Sequence, residues 1–161
     1  MVSTKESKQM KKVVFMMGSP AAGKSTIANK MFSGLNLLDS DEIKKTHPNY
    51  DPKHPEGVHA WSSLELEKQF QASLKQDEDF VVDGTGSNSD KLVRRITEAK
   101  NNGFVTELVY VTCSLETSLS RNAQRERVVP EDIVREIFQD IHYSFEIASR
   151  YADKVQIINN E

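Results

Sequence analysis

Residues 12–26 read KVVFMMGSPAAGKST, and the order of residue types in that stretch sets the fold. Lys12 to Met17 is a short apolar run that stops at Gly18, the pattern of a buried strand entering a turn. Gly18, Ser19, Pro20, Ala21, Ala22, Gly23, Lys24 and Ser25 then fit the spacing GxxxxGK[ST], and Lys24 to Phe32 reads as a helix. Such a loop between strand and helix is an anion site. The glycines let successive N–H groups turn inward, and the helix start adds the positive end of its dipole. The reading makes Gly18, Ser19, Ala21, Ala22 and Gly23 a cradle for ATP. Lys24 reaches its β- and γ-phosphates, the Ser25 hydroxyl ligates Mg²⁺, and Thr26 holds the α-phosphate.

Outward from this loop, strands and helices alternate. Asn36 to Asp39, Phe80 to Val82, Val105 to Val111 and Val155 to Ile158 read as further strands. Between them the pattern predicts a short helix over 41–46 and a loop holding Pro48, Pro52 and Pro55. A helix over 59–76 is predicted with Trp61, Leu64, Phe70 and Leu74 near helical spacing. Ser89 is the expected N-cap of a helix whose apolar face is Leu92, Val93, Ile96 and Ala99, with Gly103 as its stop. A polar helix over 115–127 follows, and Pro130 opens the last one, striped with Ile133, Val134, Ile137, Phe138, Ile141 and Phe145. Alternation of this kind implies an α/β fold with a parallel sheet covered on both faces. The expectation is a kinase-type P-loop NTPase, a three-layer sandwich around five parallel strands.

The chain has 161 residues, the size of one domain, which we place at 12–161 behind a frayed polar tail at 1–11. No apolar run reaches the length of a membrane span, and Cys113 is the only cysteine, so the cytoplasm is the expected location and no membrane partner is expected. Net charge of −3 gives no general attraction to polyanions, leaving only a local basic groove for nucleic acid. His47, His54 and His59 lack the paired spacing of a structural zinc site.

A phosphate cradle alone serves kinases, GTPase-like switches and motor ATPases, so the other polar groups decide. Asp39 and Asp41 sit where the second strand ends, the edge at which open α/β sheets place ligands. Asp41 is the candidate general base, with Lys44 one turn later as a cation for the substrate; helix capping is the plainer reading of that aspartate. Asp83 closes the third strand as a carboxylate for the metal, and Gly84, Thr85 and Gly86 allow close approach of an acceptor. Val81, Asp83, Gly84 and Thr85 match part of the phosphatase pattern DxDGT, but Val81 stands where the nucleophilic aspartate is needed. Arg121, Arg125 and Arg127 lie on a helix and its end, with Arg121 and Arg125 on one face; beside a phosphate cradle they fit a lid over the transferring group better than a solvated charge run.

On these residues the chain resembles the zeta-toxin and polynucleotide-kinase group of P-loop kinases over most of its length after Lys11. The segments Asp39-Ser40-Asp41-Glu42-Ile43-Lys44 and His47-Pro48-Asn49-Tyr50-Asp51 resemble the acceptor segment of zeta-type kinases. That resemblance implies Asp41 as base and Lys44 as a substrate-binding residue. Asp83-Gly84-Thr85 is similar to the family's acceptor-touching Glu-Gly-Thr and Asp-Thr-Asn segments. Arg121-Asn122 with Arg125 and Val129-Pro130 resembles the arginine lid of polynucleotide kinases, and Ala152-Asp153-Lys154-Val155 is also zeta-like. Asp39 and Arg127 are counted with the acceptor site. The resemblance implies phosphorylation of a nucleotide sugar such as UDP-N-acetylglucosamine or another small molecule, with a polynucleotide 5′-hydroxyl as the alternative and an acceptor-free switch as the second. An antitoxin is the protein partner it suggests.

Overall fold

The computed structural model describes residues 11–161. Of the expected tail, only Lys11 falls within that range; its carbonyl accepts from Val105 N–H and its ammonium sits 4.4 Å over the Phe104 ring.

Five strands form one parallel sheet: β1 (Lys12–Met17), β2 (Asn36–Asp39), β3 (Phe80–Asp83), β4 (Val105–Thr112) and β5 (Lys154–Asn159), in the order β2-β3-β1-β4-β5. β1 is central, so it is apolar on both faces and its residues from Val13 to Met17 are all buried. Alternate residues serve opposite layers. Val13, Phe15 and Met17 join Phe80, Val82, Leu108 and Tyr110 in one core, which helices α3 (His59–Leu74), α4 (Ser89–Asn101) and α6 (Glu131–Ala148) cover with Leu66, Phe70, Ile96 and Ile141. Val14, Met16, Val81, Val109 and Val111 form the other, smaller core beneath α1 (Lys24–Met31). Each fully buried Phe, Leu or Ile here contributes on the order of 2 kcal/mol. The remaining helices, α2 (Ser40–Lys44) and α5 (Leu115–Gln124), lie at the carboxyl ends of β2 and β4. Among the described residues no helix is long and apolar enough to cross a membrane.

Several local expectations need correction. The buried face of α3 is Ser62, Leu66, Phe70, Ser73 and Leu74, whereas Leu64 is 66% exposed. Its spacing satisfied a helical repeat but not the stripe that meets the sheet. The cap of α4 is Asn88, whose side chain accepts from Lys91 N–H at 3.0 Å, one residue before the expected Ser89. The helix expected over 115–127 ends at Gln124, because Arg125 takes an extended backbone (φ −83°, ψ 155°). α3 and α4 are clamped together by Glu67, which accepts from Arg94 and Arg95; these guanidiniums and Gln71 hold its carboxyl down to about 2 against the opposing effect of burial.

Candidate active site

The loop after β1 is folded by close approach. At Gly18 (φ 153°) a Cβ would stand 2.4 Å from the Val111 carbonyl oxygen, so only glycine fits. Gly18 N–H donates to Thr85 O at 3.0 Å, which ties the loop to the turn after β3. Ala21 is the one non-glycine with a left-handed backbone among the described residues (φ 64°), a conformation that costs an L-residue about 1 kcal/mol. Ala21→Gly is therefore expected to raise stability by about 1 kcal/mol, read as an upward shift in Tm; an unchanged or lower Tm counts against strain at this position. Gly23 (φ 97°) precedes α1 without any side-chain cap, leaving the first N–H groups of that helix for an anion.

Lys24 lies half-buried in the floor of the loop, its ammonium donating to Ser19 O at 3.0 Å. Burial pulls its pKa below the ordinary lysine value, opposed by the carboxylates of Asp83 and Asp41. Ser25 and Thr26 stand exposed on the first turn beside it. A cleft of about 870 Å³ opens over these residues and is lined by Ala21, Gly23, Lys24, Ser25 and Thr26. Gly18, Ser19 and Ala22 do not line it; they are buried behind the loop and shape it.

Three carboxylates converge on the same cleft. Asp39 and Asp83 are register partners at the ends of β2 and β3, and Asp39 caps α2 by accepting Asp41 N–H at 2.9 Å. Burial and then the Asp41 charge push the Asp39 carboxyl up. Asp83 is only 5% exposed, and its Oδ1 is buried with no hydrogen-bond partner among the described residues. Its pKa is pushed up to about 7 by burial, with Lys24 opposing and Asp39 and Asp41 adding to the rise. An orphaned hard oxygen beside the lysine of a phosphate cradle, with the Ser25 hydroxyl at the cleft wall, suits a magnesium ion.

The raised carboxyl has a cost. Folded Asp83 holds its proton more tightly than an ordinary aspartate at 3.8, so it costs nothing at low pH and destabilises the fold progressively as pH rises from about 4 towards 7. Asp83→Asn is thus expected to raise Tm at pH 8 in magnesium-free buffer and to leave it unchanged at pH 3.5. Equal shifts at both values would show that charge at this site carries no penalty.

Asp41 is half-buried at the start of α2 and forms an ion pair with Arg127, Oδ2 to Nη2 3.1 Å. The cap at this end is Asp39, so the Asp41 carboxylate is not committed to the helix. Lys44 is 8% exposed and lines the cleft, and its ammonium makes no ion pair or hydrogen bond among the described residues; burial lowers its pKa, opposed by Asp41. Thr85 meets Ser87, Oγ1 to Oγ 3.1 Å, on the facing wall.

The arginines reach the cleft by a route that differs from the expected helix face. Arg121, on α5, donates to Asn160 O at 2.8 Å. Beyond α5, Asn122 folds the chain back: its Nδ2 donates to Val129 O at 2.6 Å and its Oδ1 accepts from Val129 N–H and from Arg125 Nη2. That staple turns Arg125 and Arg127 inward together, each with a buried Nε that has no partner among the described residues. Burial and then Arg127 lower the Arg125 pKa. Val128 N–H donates to Pro52 O at 2.9 Å, tying the loop after α5 to the proline-rich loop.

Sequence reasoning missed the far arm of the cleft, where His59, Lys91 and Arg95 join Lys44. Lys91 occupies the first turn of α4, where the helix dipole disfavours a cation, and that misplaced charge was the available signal. His59, whose spacing from His47 and His54 suits no zinc site, lies where burial and then Lys44 and Lys91 lower its pKa.

The family model described as Zeta toxin matches residues 1–161. Solved structures similar to this chain include the AvrRxo1-ORF1:AvrRxo1-ORF2 complex with sulphate ions (TM-score 0.73, 23% identity, covering 98% of this chain and 57% of that one), an assembly also solved with ATP. The PezAT chromosomal toxin–antitoxin system of Streptococcus pneumoniae gives TM-score 0.72 at 17% identity, over 96% of this chain and 69% of that one. Shikimate kinase from Acinetobacter baumannii, in complex with shikimate, gives 0.54 at 17% identity over 90% and 82%. No curated protein matches the chain. The chain thus spans little more than half the length of the AvrRxo1 chain it resembles, and the shared fold is that of P-loop kinases.

Proposed function

The chain belongs to the zeta toxin family, and from that premise we propose that it is an ATP-dependent kinase, transferring the γ-phosphoryl group to a hydroxyl of a small acceptor such as a nucleotide sugar. The observation that carries the reading is the opening of Lys24, Asp41, Asp83 and the arginine lid onto one cleft. ATP lies with its phosphates on the N–H groups of 21–26, and Lys24 neutralises the β- and γ-phosphates. Held by Ser25 and Asp83, a magnesium ion would supply further positive charge to those phosphates. Asp41 takes the proton of the acceptor hydroxyl; that oxygen bonds to the γ-phosphorus as the bond to the bridging oxygen of ADP breaks. Arg121, Arg125 and Arg127 stabilise charge on the equatorial oxygens and exclude water. Asp39 anchors the turn that carries the base, and Thr85 positions the acceptor.

Lys44 and Lys91, with Arg95 beside its partner Glu67, make the acceptor arm basic, and His59 adds a neutral ring to it, which supports an acceptor that already bears phosphate. An antitoxin-type protein partner is supported by the toxin–antitoxin system to which PezAT belongs. The test is to incubate the protein with labelled ATP, magnesium and separate acceptors: UDP-N-acetylglucosamine, other nucleotide sugars, and a 5′-hydroxyl oligonucleotide. Label on a sugar nucleotide is expected. Label on the oligonucleotide replaces the acceptor class, and release of free phosphate alone makes the protein a switch.

A further inference from the structure

We propose that Asn160, immediately beyond β5, is a positioning residue that aims the phosphate cradle. The inference rests on the nucleotide reading above. β5 is one of the two edge strands and the least buried of the five, with Ile158 its only residue that is not exposed. Its end is nonetheless fastened. Asn160 N–H donates to Thr112 O at 2.7 Å, its Nδ2 donates to Ala22 O at 2.8 Å, and its own carbonyl accepts from Arg121 at 2.8 Å. Glu161 adds a second anchor, accepting from Ser114 N–H and Oγ, both at 2.9 Å, at the start of α5.

The contact with Ala22 acts on ligand geometry through the peptide plane. In a trans peptide the C=O and the following N–H point in opposite directions. Holding Ala22 O outward on the Asn160 carboxamide therefore aims Gly23 N–H the other way, and Gly23 lines the cleft. Ser118 does the same one turn of the loop earlier: its buried hydroxyl donates to Pro20 O at 2.7 Å and so aims Ala21 N–H. Two outer tethers thus orient two inner donors, at no cost in reorganisation when an anion arrives. Gly23 is fitted to this arrangement as well as to its left-handed φ, since a Cβ there would lie 2.3 Å from Asn160 Nδ2.

The experiment uses the full chain, titrated with ATP and magnesium by calorimetry, with ATP hydrolysis kinetics and Tm measured in parallel. Asn160→Ala removes the tether while its backbone carbonyl still accepts from Arg121. It is expected to raise the ATP Kd and the KM for ATP about tenfold, with kcat and Tm little changed. Asn160→Asp keeps the shape, loses the donor and turns an oxygen towards Ala22 O, so its loss should be larger. Ile157→Thr, on the same strand and 60% exposed, controls for a weakened edge and should leave the Kd within about twofold. Wild-type binding with both Asn160 variants unchanged overturns the inference alone, as does a fall in Tm that Ile157→Thr reproduces together with the loss of affinity. A wild-type protein that does not bind ATP overturns the nucleotide reading and this inference with it.

Discussion

Asp41→Asn is expected to slow phosphoryl transfer about 10³-fold while leaving ATP affinity within about twofold. The amide keeps the size of the side chain and its hydrogen-bonding reach to Arg127, but it has no basicity for the acceptor proton. Fold should survive, because the cap of α2 is Asp39 and not Asp41. The cradle should survive too, since Asp41 acts on Lys24 only through space. The measurement is kcat in the acceptor assay beside an ATP titration. Transfer within about tenfold of wild type would remove Asp41 from the role of base and leave Asp39 or Asp83 to be examined in its place.

Lys24→Met is expected to lower kcat/KM about 10³-fold, and here ATP binding itself should weaken. Methionine fills the half-buried space of the lysine stem but removes the cation that faces Asp83, Asp41 and Asp39. The carboxyl of Asp83 loses its main favourable neighbour, so its pKa should rise further above the value of about 7 it already has. The variant accordingly fails in two ways that can be separated. ATP titration reads the lost phosphate contact, and the pH dependence of Tm reads the altered carboxylate cluster. Unchanged ATP affinity in this variant would mean that the loop does not bind the triphosphate through Lys24.

The cradle was legible in the sequence because its cause is local: glycines, a lysine and a hydroxyl at fixed spacing between an apolar run and a helix. The five strands were legible for the same reason, each being a short apolar run between breakers. Asp83 at the end of β3 and Asp41 at the start of α2 followed from where the runs stop. What periodicity could not supply was the route of the chain after Gln124. Arg121 and Arg125 have helical spacing, but the Asn122 carboxamide binds Val129 and ends the helix between them. Asn88 displaced Ser89 as a cap because both residue types serve, and only the fold chooses the register. Lys91, Arg95 and His59 enter the cleft from elements far along the chain from the cradle, and no local pattern links them to it. Asn160 is the extreme case, since its meaning is a carbonyl 138 residues away.

That separation bears on how the molecule is born. β1 emerges early, yet its sheet neighbours are β3 and β4, and the loop it carries is fastened by Asn160. At about 5–20 residues per second, a ribosome delivers the two ends of that last contact roughly 7–30 s apart. Until β3 and then β4 follow within this interval, the most apolar strand lacks its sheet partners and is exposed to aggregation and to chaperones. Nascent chains should therefore acquire their grip on nucleotide abruptly and late, and not in proportion to length.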